Sequence, residues 1–591
     1  MMLTSEQKEA VRYDDNLMLT ACPGSGKTRV IVSKLARVVD SVRETPRFVG
    51  CITYTNAAVN EIEARLRRHI HPGDEVYYDV CTIHSFCLNH IFRNFSHLIN
   101  GYKNGFKVLT PDNDEFRKHV DAVWETFGKT NLTSKDYEEF TQLRINSSGD
   151  PVGSAIEQGS LTKEIAKQFW ARIRKAGFVD FSNIIYYSLV LLQKRPEILD
   201  CVASKFAWIL VDEFQDTTDI QVDLLSLIAD KGRTKFLLVG DPYQSIFRFA
   251  GSKPELAVDF AVHIGARTDL QLSGNFRSSS PILEHAEKIF QRTPPMKALG
   301  PSKEFTEEPE WRYGQSAFEV IEDFFLPALE GLDIRYGESA ILAPSWFSLF
   351  PIGKKLRNYG ISVVGPGARP YRKAWLIAPL AEQICGYLMG PNPDIITGIE
   401  RTLFNTILNT TGRTEFNIFS YQGRVLVFRL LAEAQKLRVT HESAVDWLNA
   451  AANIFSQVLI DHDYLVESEG YLLSMSVNGM IADMVKNKVD IANLSISDFG
   501  VYASPDQALK LSTIHNAKGR EFDAVAIVDL HEGKMPSYYD RTAEDVAEKK
   551  RLFYVGLTRA KRYLLYITDR TGRDGPSRFL AKGGLDIGIT Q

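Results

Sequence analysis

The segment that most constrains the fold is residues 16–30, NLMLTACPGSGKTRV, in which a short apolar run leads into a glycine-rich turn and then a helix. Glycines let successive backbone N–H groups point inward, and the start of a helix adds the positive end of its dipole. This combination predicts a phosphate-binding loop, with Lys27 reaching the β- and γ-phosphates and the Thr28 hydroxyl ligating Mg²⁺. Ala21 stands where the general loop pattern has glycine. A plain glycine turn before a helix is the alternative interpretation.

A second stretch, WILVDEFQDT at residues 208–217, places two carboxylates at the end of an apolar strand. Ligands of parallel α/β sheets bind beyond the carboxyl ends of the strands. We expect Asp212 to hold Mg²⁺ through water and Glu213 to orient an attacking water as general base. Alone, such a pair is more often a cap or a solvated turn, but together with GSGKT it indicates nucleotide hydrolysis.

Apolar runs followed by helical stretches recur along the chain and predict an α/β fold with parallel sheets. The predicted strands and the helices that follow two of them are Leu17–Thr20, Val49–Thr53, Trp208–Val211, Phe236–Val239 and Ala524–Val528, with helices Arg29–Val39 and Ala57–Arg68. Two mainly helical regions, 86–177 and 368–505, interrupt this alternation. A proline-bearing polar segment, QRTPPMKALGPSKEFTEEPEW, is predicted to connect two domains.

The charge balance argues against one class of nucleic-acid binder. The 591-residue chain carries 69 Lys and Arg against 73 Asp and Glu, a net charge of −4. This excludes a histone-like coat but leaves room for a local basic groove.

Six cysteines without a paired CxxC indicate a reducing compartment and argue against a zinc site. With no signal-peptide pattern and no membrane-spanning apolar run, the cytoplasm is the expected location.

The motifs, taken in order, resemble those of the UvrD/Rep/PcrA helicases of superfamily 1. LTSEQKEAV resembles the Q motif, ACPGSGKTR motif I, ITYTNAAVNEI the TFTNKAA element and TIHSF the next single-strand contact. VDFSNII resembles the acidic-aromatic stretch before DEFQDT, LVGDPYQSIFRFAGS resembles motif III and LSGNFRSS motif IV. In the C-terminal half, LSTIHNAKGREFDAVAIVDLHEGKMPS resembles motif V with its extension, and EKKRLFYVGLTRAKRYL resembles motif VI.

The resemblance implies two RecA-like parallel-sheet motor domains, each with a mainly helical insertion. The first, 1A, would take residues 1–85 and 178–282 and bind ATP, and the second, 2A, would take 283–367 and 506–591. The insertions would be 1B, residues 86–177, and 2B, residues 368–505.

The resemblance also implies how ATP is held. Gln7 and Arg29 would lie near the adenine, and Phe276 would stack on it where the family usually has Tyr. Glu521 would meet the ribose, and Gly519 would allow the backbone to approach closely. The loop around the phosphates would consist of Ala21, Cys22, Pro23, Gly24, Ser25, Gly26, Lys27 and Thr28.

Further residues are implied in hydrolysis. Mg²⁺ would be bound by Thr28 and Asp212, and Gln244 would sense the γ-phosphate. Arg277 and Arg559 would reach the γ-phosphate from across the cleft, where positive charge is worth roughly 10³–10⁵ in rate. Taken singly, each arginine is more readily a surface residue.

A track for single-stranded DNA is implied as well, and such a track needs stacking rings and phosphate contacts. Its rings would be Tyr54, Phe247 and Phe249, for which core packing is the alternative. Its phosphate- and sugar-side contacts would be Thr55, Asn56, Thr82, His84, Thr513 and His515. The two histidines could equally be structural.

The sequence departs from the family pattern in three places. Phe249 stands where the better-studied members have Trp, and Ala250 where they have Arg, which removes one charge-assisted contact. Only 29 residues follow Arg562 (591 − 562), whereas larger relatives carry a longer tail. DRTAEDVAEKK, residues 540–550, has a loose acidic–lysine pattern that we interpret as a helix face rather than a fused nuclease site.

These features predict an ATP-dependent single-stranded DNA translocase and helicase, with 3′→5′ polarity implied by the resemblance. The expected partners are single-stranded DNA and junctions with duplex, and the expected roles are DNA repair, replication restart or antiviral defence. One alternative is a translocase that strips proteins from single strands but hardly unwinds. Another is a nucleotide-gated DNA sensor that serves as a regulatory subunit of a defence or repair complex with a nuclease. Helicase-like proteins of this kind occur beside OLD-type nucleases in the Gabija antiviral system.

Overall fold

Two parallel β-sheets organise the chain, each within its own unit. The computed structural model describes residues 3–111, 113–248, 251–390, 393–412, 417–441 and 443–585. Unit 1 comprises Met1–Glu304 and Thr542–Tyr554, and unit 2 comprises Phe305–Arg541 and Val555–Gln591. Unit 1 therefore extends to Glu304, whereas the sequence-based boundary of the first motor domain is residue 282.

Unit 1 contains one large sheet and several short strand pairs. Its strands are β1 (Leu17–Ala21), β2 (Phe48–Thr53), β3 (Tyr78–Thr82), β4 (Lys107–Val108), β5 (Arg144–Ile145), β6 (Pro151–Val152), β7 (Phe178–Val179), β8 (Phe206–Val211), β9 (Lys235–Gly240), β10 (Gln271–Leu272), β11 (Gly274–Asn275) and β12 (Lys297–Ala298). The large sheet is parallel throughout, in the order β10-β1-β9-β8-β2-β3. Its central strand β8, FAWILV, is buried along nearly its whole length because helices cover both faces.

Helices cover the two faces of this sheet differently. They are α1 (Ser5–Arg12), α2 (Lys27–Val42), α3 (Asn56–Leu66), α4 (Ile83–Cys87), α5 (Arg93–Phe95), α6 (Asp114–Thr126), α7 (Ser134–Thr141), α8 (Ser154–Glu157), α9 (Lys163–Lys175), α10 (Phe181–Lys194), α11 (Pro196–Lys205), α12 (Asp219–Ala229), α13 (Pro254–His263) and α14 (Ser280–Ile289). Helices α1 to α3 pack on one face. On the other face Phe86, Phe169 and Phe206 share one continuous core, so the helical region between β3 and β8 is built onto the sheet.

Unit 2 repeats the parallel arrangement. Its strands are β13 (Glu310–Gly314), β14 (Ser339–Ala343), β15 (Val363–Val364), β16 (Leu509–Thr513), β17 (Phe522–Ile527) and β18 (Ala560–Asp569). They form one parallel sheet in the order β13-β18-β17-β14-β16-β15. The helices that follow α14 along the chain are α15 (Ala317–Val320), α16 (Leu326–Gly331), α17 (Leu349–Asn358), α18 (Ala378–Met389), α19 (Pro393–Thr411), α20 (Tyr421–Thr440), α21 (Ala444–Asp461), α22 (Glu467–Lys486), α23 (Ile496–Gly500), α24 (Ile514–Ala517), α25 (Ala543–Leu557) and α26 (Arg578–Lys582).

The second helical region has a core of its own. Helices α18 to α23 enclose a cluster that includes Trp447, Leu473 and Phe499, separate from the cluster around the sheet of unit 2. The two helical regions thus differ, because the first extends the core of its sheet and the second forms an independent core.

The predicted fold class is confirmed. All five predicted strands are present, with bounds that shift by one or two residues, and both predicted helices are found as α2 and α3. The predicted connector is only partly a connector, because residues up to Glu304 belong to unit 1 and Lys297–Ala298 forms β12. No helix in the described ranges is long and apolar enough to cross a membrane. All six cysteines are free thiols.

Candidate active site and DNA-binding groove

The glycine-rich turn after β1 is shaped for close approach of a ligand. Gly24 and Gly26 have φ angles of 65° and 79°, which glycine adopts without strain. A Cβ at Gly24 would lie 2.7 Å from Cβ of Arg277, so no larger residue fits. Helix α2 begins at Lys27 directly after the turn. Ser25 is buried, and its Oγ has no hydrogen-bond partner among the described residues, as expected of a group placed for a ligand.

The start of this loop is fixed from the neighbouring strand. Ala21, Cys22 and Pro23 are buried as the chain leaves β1. The Asn275 side chain donates to the carbonyl of Pro23 at 2.6 Å and accepts from the N–H of Arg277 at 2.8 Å. One asparagine therefore holds the phosphate loop and the predicted γ-phosphate arginine in register. Sequence analysis did not single out Asn275.

The residues predicted near adenine lie beside this loop. Gln7 Nε2 donates to the carbonyl of Ser25 at 2.8 Å, and Gln7 Oε1 accepts from the N–H of Thr4. Both polar ends of Gln7 are thus used within the protein, and contact with a base requires sharing or releasing one of them. The guanidinium of Arg29 lies 5.5 Å from the ring centroid of Phe276, a distance typical of a cation–π contact.

A buried charge cluster lies at the carboxyl ends of β8 and β9. Lys27 Nζ is 3.2 Å from Glu213 Oε1. Burial opposes the charge on Lys27, but the carboxylates of Glu213, Asp241 and Asp212 outweigh it and raise the pKa of the ammonium. Burial and the charge of Glu213 raise the pKa of Asp212 to about 7, although Lys27 acts in the opposite direction. Such perturbed groups in a cleft mark a functional site.

The backbone at Glu213 is held in an unusual conformation. Its φ of 52° is uncommon for a residue other than glycine, and such outliers concentrate at functional sites. Gln215 Nε2 donates to Glu213 Oε2 at 2.5 Å, which fixes the direction of the carboxylate. The predicted general base is therefore oriented by its own turn.

The side chains near Asp212 fit Mg²⁺ that is bound together with a nucleotide. In the described part of the chain no group of three or more His, Cys, Asp or Glu side chains could hold a metal by itself. Mg²⁺ bound with a nucleotide needs only one or two protein carboxylates, because phosphate oxygens and waters complete its shell. Thr28 at the first turn of α2 and Asp212 at the end of β8 fit that requirement.

Sequence analysis missed Arg292, which completes this cluster. Its guanidinium contacts both carboxylate oxygens of Asp241, at 2.7 and 2.8 Å, and the hydroxyl of Tyr554 at 3.1 Å. Asp241 is fully buried and also accepts from Gln244 Nε2 at 2.6 Å. The buried pair thus fixes the predicted γ-phosphate sensor. No local signal marks Arg292, because it lies in the polar segment that was interpreted as a connector.

The remaining predicted ATP residues lie in unit 2. Gly519 has a φ of 83°, and Glu521 lies 3.5 Å from Lys561. Arg559 is only 1% exposed, and its guanidinium donates to the carbonyls of Val555 and Arg520. The alternative interpretation of Arg559 as a surface residue is therefore wrong.

Five of the predicted DNA contacts line one groove of unit 1. The groove has a volume of about 630 Å³. The predicted residues in its wall are Tyr54, Thr55, Asn56, Thr82 and His84. The wall also contains Arg144 and Phe181, neither of which was singled out from the sequence. Phe181 is 44% exposed and meets the His84 ring edge to face, with centroids 5.6 Å apart.

The environment of His84 limits what it can do. Burial, and then the charge of Arg144, lower the pKa of His84 to about 4. The ring is therefore neutral near pH 7, so it can share a hydrogen bond but not attract a phosphate by charge. A neutral His84 is compatible with both a structural role and a DNA contact. It excludes a DNA contact through a charged imidazolium at neutral pH.

The three threonines of the predicted DNA track each cap a helix. Thr55 follows β2, whereas Thr82 and Thr513 are the last residues of β3 and β16. Their side chains accept from the N–H groups of Ala58, Ser85 and Asn516 respectively. Asn56 is the exposed first residue of α3, and His515 lies in the short helix α24. The capping pattern places these side chains at the carboxyl edges of the sheets, where ligands bind.

The loop after β9 joins the two kinds of site. Phe247 stacks on Tyr54, with ring centroids 5.0 Å apart and planes 15° apart. Gln244, three residues earlier, belongs to the buried cluster around Asp241. Phe249 and Ala250 lie outside the described residues, so the predicted alternation of Phe247 and Phe249 remains a prediction.

The sequence is similar to those of known proteins. The family model of the UvrD/REP helicase N-terminal domain matches residues 3–264. The family model of the UvrD-like helicase C-terminal domain matches residues 471–571. An ATP-dependent DNA helicase PcrA of Staphylococcus epidermidis is 24% identical over 645 residues, which cover 99% of this chain and 87% of that protein. The PcrA of Staphylococcus aureus is 24% identical over 640 residues, covering 98% and 86%.

Two parallel sheets, with a glycine-rich loop whose Lys27 faces Glu213, are typical of a nucleotide-hydrolysing enzyme. With both family domains matched in order, the chain belongs to the UvrD/REP helicases of superfamily 1 and is an ATP-dependent DNA helicase.

Proposed function

We propose that this helicase moves 3′→5′ along single-stranded DNA in the cytoplasm, hydrolyses ATP with Mg²⁺, and unwinds duplex at junctions. The proposed domain division is 1A (1–85 and 178–282), 1B (86–177), 2A (283–367 and 506–591) and 2B (368–505). The proposed roles are DNA repair, replication restart or antiviral defence, with a nuclease subunit as partner in the last case. The similar PcrA proteins support the motor activity, and the experiment below addresses polarity.

In the proposed hydrolysis step, Lys27 and the N–H groups of the glycine loop bind the phosphates. Thr28 and Asp212 would hold Mg²⁺, which would supply charge neutralisation at the phosphates. Glu213, oriented by Gln215, accepts a proton from the attacking water. Gln244, Arg277 and Arg559 are proposed to stabilise the charge that develops on the γ-phosphoryl group.

A single observation carries the coupling of hydrolysis to DNA. The loop after β9 contains Gln244, hydrogen-bonded to buried Asp241, and three residues later Phe247, stacked on Tyr54 in the wall region of the DNA groove. A shift of Gln244 on loss of the γ-phosphate would be transmitted through three peptide units to the Phe247 ring. Grip on DNA bases would then depend on the state of the nucleotide.

Helix α25 supports the same loop. Arg551 Nε donates to the carbonyl of Ser245 at 2.8 Å, and Arg248 forms an ion pair with Glu544 at 2.9 Å. Both partners on α25 belong to unit 1. The backbone of this loop is therefore held at Ser245 and Arg248. A held backbone favours transmission of a movement of Gln244 to Phe247.

Unwinding of 3′-tailed and 5′-tailed duplexes, measured alongside ATP hydrolysis, tests this proposal. The proposal predicts that only 3′-tailed duplexes are unwound, that single-stranded DNA stimulates hydrolysis, and that Lys27→Ala abolishes both. The exposed Lys303→Ala is the matched control, because it removes a lysine of unit 1 that is far from the loop in sequence.

Other results would redirect the proposal. Preference for 5′ tails would contradict the polarity. Stimulated hydrolysis with displacement of streptavidin from a biotinylated single strand, but without unwinding, would favour the protein-stripping translocase. Binding of ATP and DNA without stimulated hydrolysis would favour the DNA sensor beside a nuclease.

A further inference from the structure

Three large aromatic side chains are exposed together in unit 2. Trp346, Phe347 and Phe350 are 46%, 68% and 44% exposed. The rings of Trp346 and Phe347 stack, with centroids 4.0 Å apart and planes 25° apart, and Phe350 meets Trp346 edge to face at 5.1 Å. We name this group the aromatic ledge. Contiguous exposed apolar surface of this kind usually marks a place of interaction.

The backbone under the aromatic ledge is rigid. The ledge begins three residues after β14 ends and continues into α17, where Leu349 and Ile352 are buried in the core of the unit. Ser348, within the ledge sequence, donates from Oγ to Asp529 Oδ2 at 2.5 Å. The rings are thus presented by a fixed strand–helix corner, which lowers the entropy lost when a ligand binds.

The position in the sheet indicates what the ligand is. Strand β14 pairs with β16 so that Ala343 and Thr513, the last residues of the two strands, are register partners. The aromatic ledge therefore lies at the same carboxyl edge as Thr513 and His515, which belong to the proposed DNA track. Continuity with that track favours single-stranded DNA as the occupant.

The local charge is compatible with a phosphate backbone. Asp529, the nearest carboxylate bonded to the ledge sequence, forms an ion pair with Lys534. Lys354, one helical turn after Phe350, is exposed and forms no ion pair among the described residues. Residues four apart share a helix face, so Lys354 lies on the same face of α17 as Phe350. A lysine beside stacked rings is the combination that nonspecific single-strand binding uses.

We propose that the aromatic ledge is a base-stacking site for single-stranded DNA, in which a base continues the stack on the open face of Phe347. The inference rests on the proposed function and adds a stacking site in unit 2 to the rings proposed in unit 1. Recognition is tolerant of sequence, because every base has a π face.

Binding of a fluorescein-labelled 20-mer of thymidine, followed by anisotropy at low salt, tests the inference. One base–aromatic stack is worth about 1–3 kcal/mol, which is roughly 5- to 150-fold in Kd. Phe347→Ala should therefore raise Kd by about 5-fold or more. Phe347→Leu keeps apolar area but lacks a π face and should weaken binding similarly, whereas Phe347→Trp should bind as the wild type does.

The matched control is Phe428→Ala, which removes a ring that is 54% exposed on α20. It should leave Kd unchanged, and thermal melting should show that all variants are folded. An unchanged Kd for Phe347→Ala, with normal binding by the wild type, overturns the inference but leaves the proposed function intact. Failure of the wild type to bind at all overturns both, and every variant would then be equally inactive.

A photocrosslink gives the direct readout. The same oligonucleotide with 4-thiothymidine at single positions should crosslink to a peptide that contains residues 346–350. Crosslinks found only in peptides of unit 1 would contradict the inference. So would a Phe347→Ala variant that binds DNA normally but no longer binds a protein partner, because the aromatic ledge would then serve that partner.

Discussion

The two sheets of this helicase share an architecture but differ at their carboxyl edges. In unit 1 this edge carries charged side chains, among them the buried Asp212 and Asp241 and, at the start of α2, Lys27, which is 14% exposed. In unit 2 the corresponding edge carries exposed rings and carboxylates that are already satisfied. Asp529 is bonded to Ser348 and Lys534, and Asp569 accepts from Ala317 and Thr571 N–H groups.

Asp212 and Asp569, at strand ends in unit 1 and unit 2, have pKa values that are shifted in opposite directions. Burial would raise the pKa of Asp569, but hydrogen bonds from His531, Thr571 and the Ala317 N–H outweigh it and hold the pKa well below its usual range. Burial of Asp212, and then the charge of its neighbour Glu213, raise the pKa of Asp212 to about 7. A carboxylate without sufficient donors is costly unless a ligand completes it, which supports the proposal that the nucleotide binds at the edge of unit 1.

The largest expected effect, on the rate of ATP hydrolysis, tests the contrast between the carboxyl edges of the two sheets. Replacing Lys27 by Ala removes the ammonium at the phosphates and should lower kcat for ATP by about 10³-fold, a loss typical of removing positive charge from phosphoryl transfer. Steady-state phosphate release measures it. Lys303→Ala should retain full activity, and comparable losses in both variants would contradict the assignment of Lys27.

The next effect is on stability. Arg292→Met breaks a buried ion pair and leaves Asp241 uncompensated, which should lower the free energy of unfolding by about 3 kcal/mol. Lys534→Met breaks a pair whose lysine is 40% exposed, and should cost about 1 kcal/mol or less. Urea denaturation measures both. Equal costs would show that the edge of unit 1 is no more dependent on its charges than that of unit 2.

A smaller effect is expected in the DNA groove. Tyr54→Ala removes the ring that stacks on Phe247 and should weaken binding of a thymidine oligonucleotide about 10-fold. Basal ATP hydrolysis should remain. Tyr421→Ala, which removes a ring that is 83% exposed in unit 2, is the control and should bind normally. Loss of basal hydrolysis in Tyr54→Ala would argue for a structural role instead.

The smallest effect concerns pH. His84 has a folded-state pKa of about 4, below its ordinary value of 6.5, so the unfolded chain takes up a proton that the folded chain refuses. The free energy of unfolding should therefore fall as pH drops from 6.5 towards 4, and His84→Gln should show a shallower fall. Identical pH slopes for the two proteins, followed by thermal denaturation, would contradict the burial of a neutral His84.

The sequence predicts the residues that follow strands, because a strand end in a parallel sheet fixes where the next side chains lie. Lys27, Asp212 and Glu213 are predicted in this way, and so is Tyr54, which lies in the wall of the groove of unit 1. Arg292 could not be found, since it reaches Asp241 across 51 positions and no periodicity links the two. The sequence also does not single out Phe347, which is 68% exposed.

The most direct measurement of the central claim is steady-state ATP hydrolysis by Phe247→Ala with and without single-stranded DNA. If the loop after β9 couples a phosphate sensor to a base-stacking ring, basal hydrolysis should match the wild type and stimulation by DNA should be lost. Stimulation equal to that of the wild type would contradict the account, because DNA would then act on the nucleotide site without the Phe247 ring.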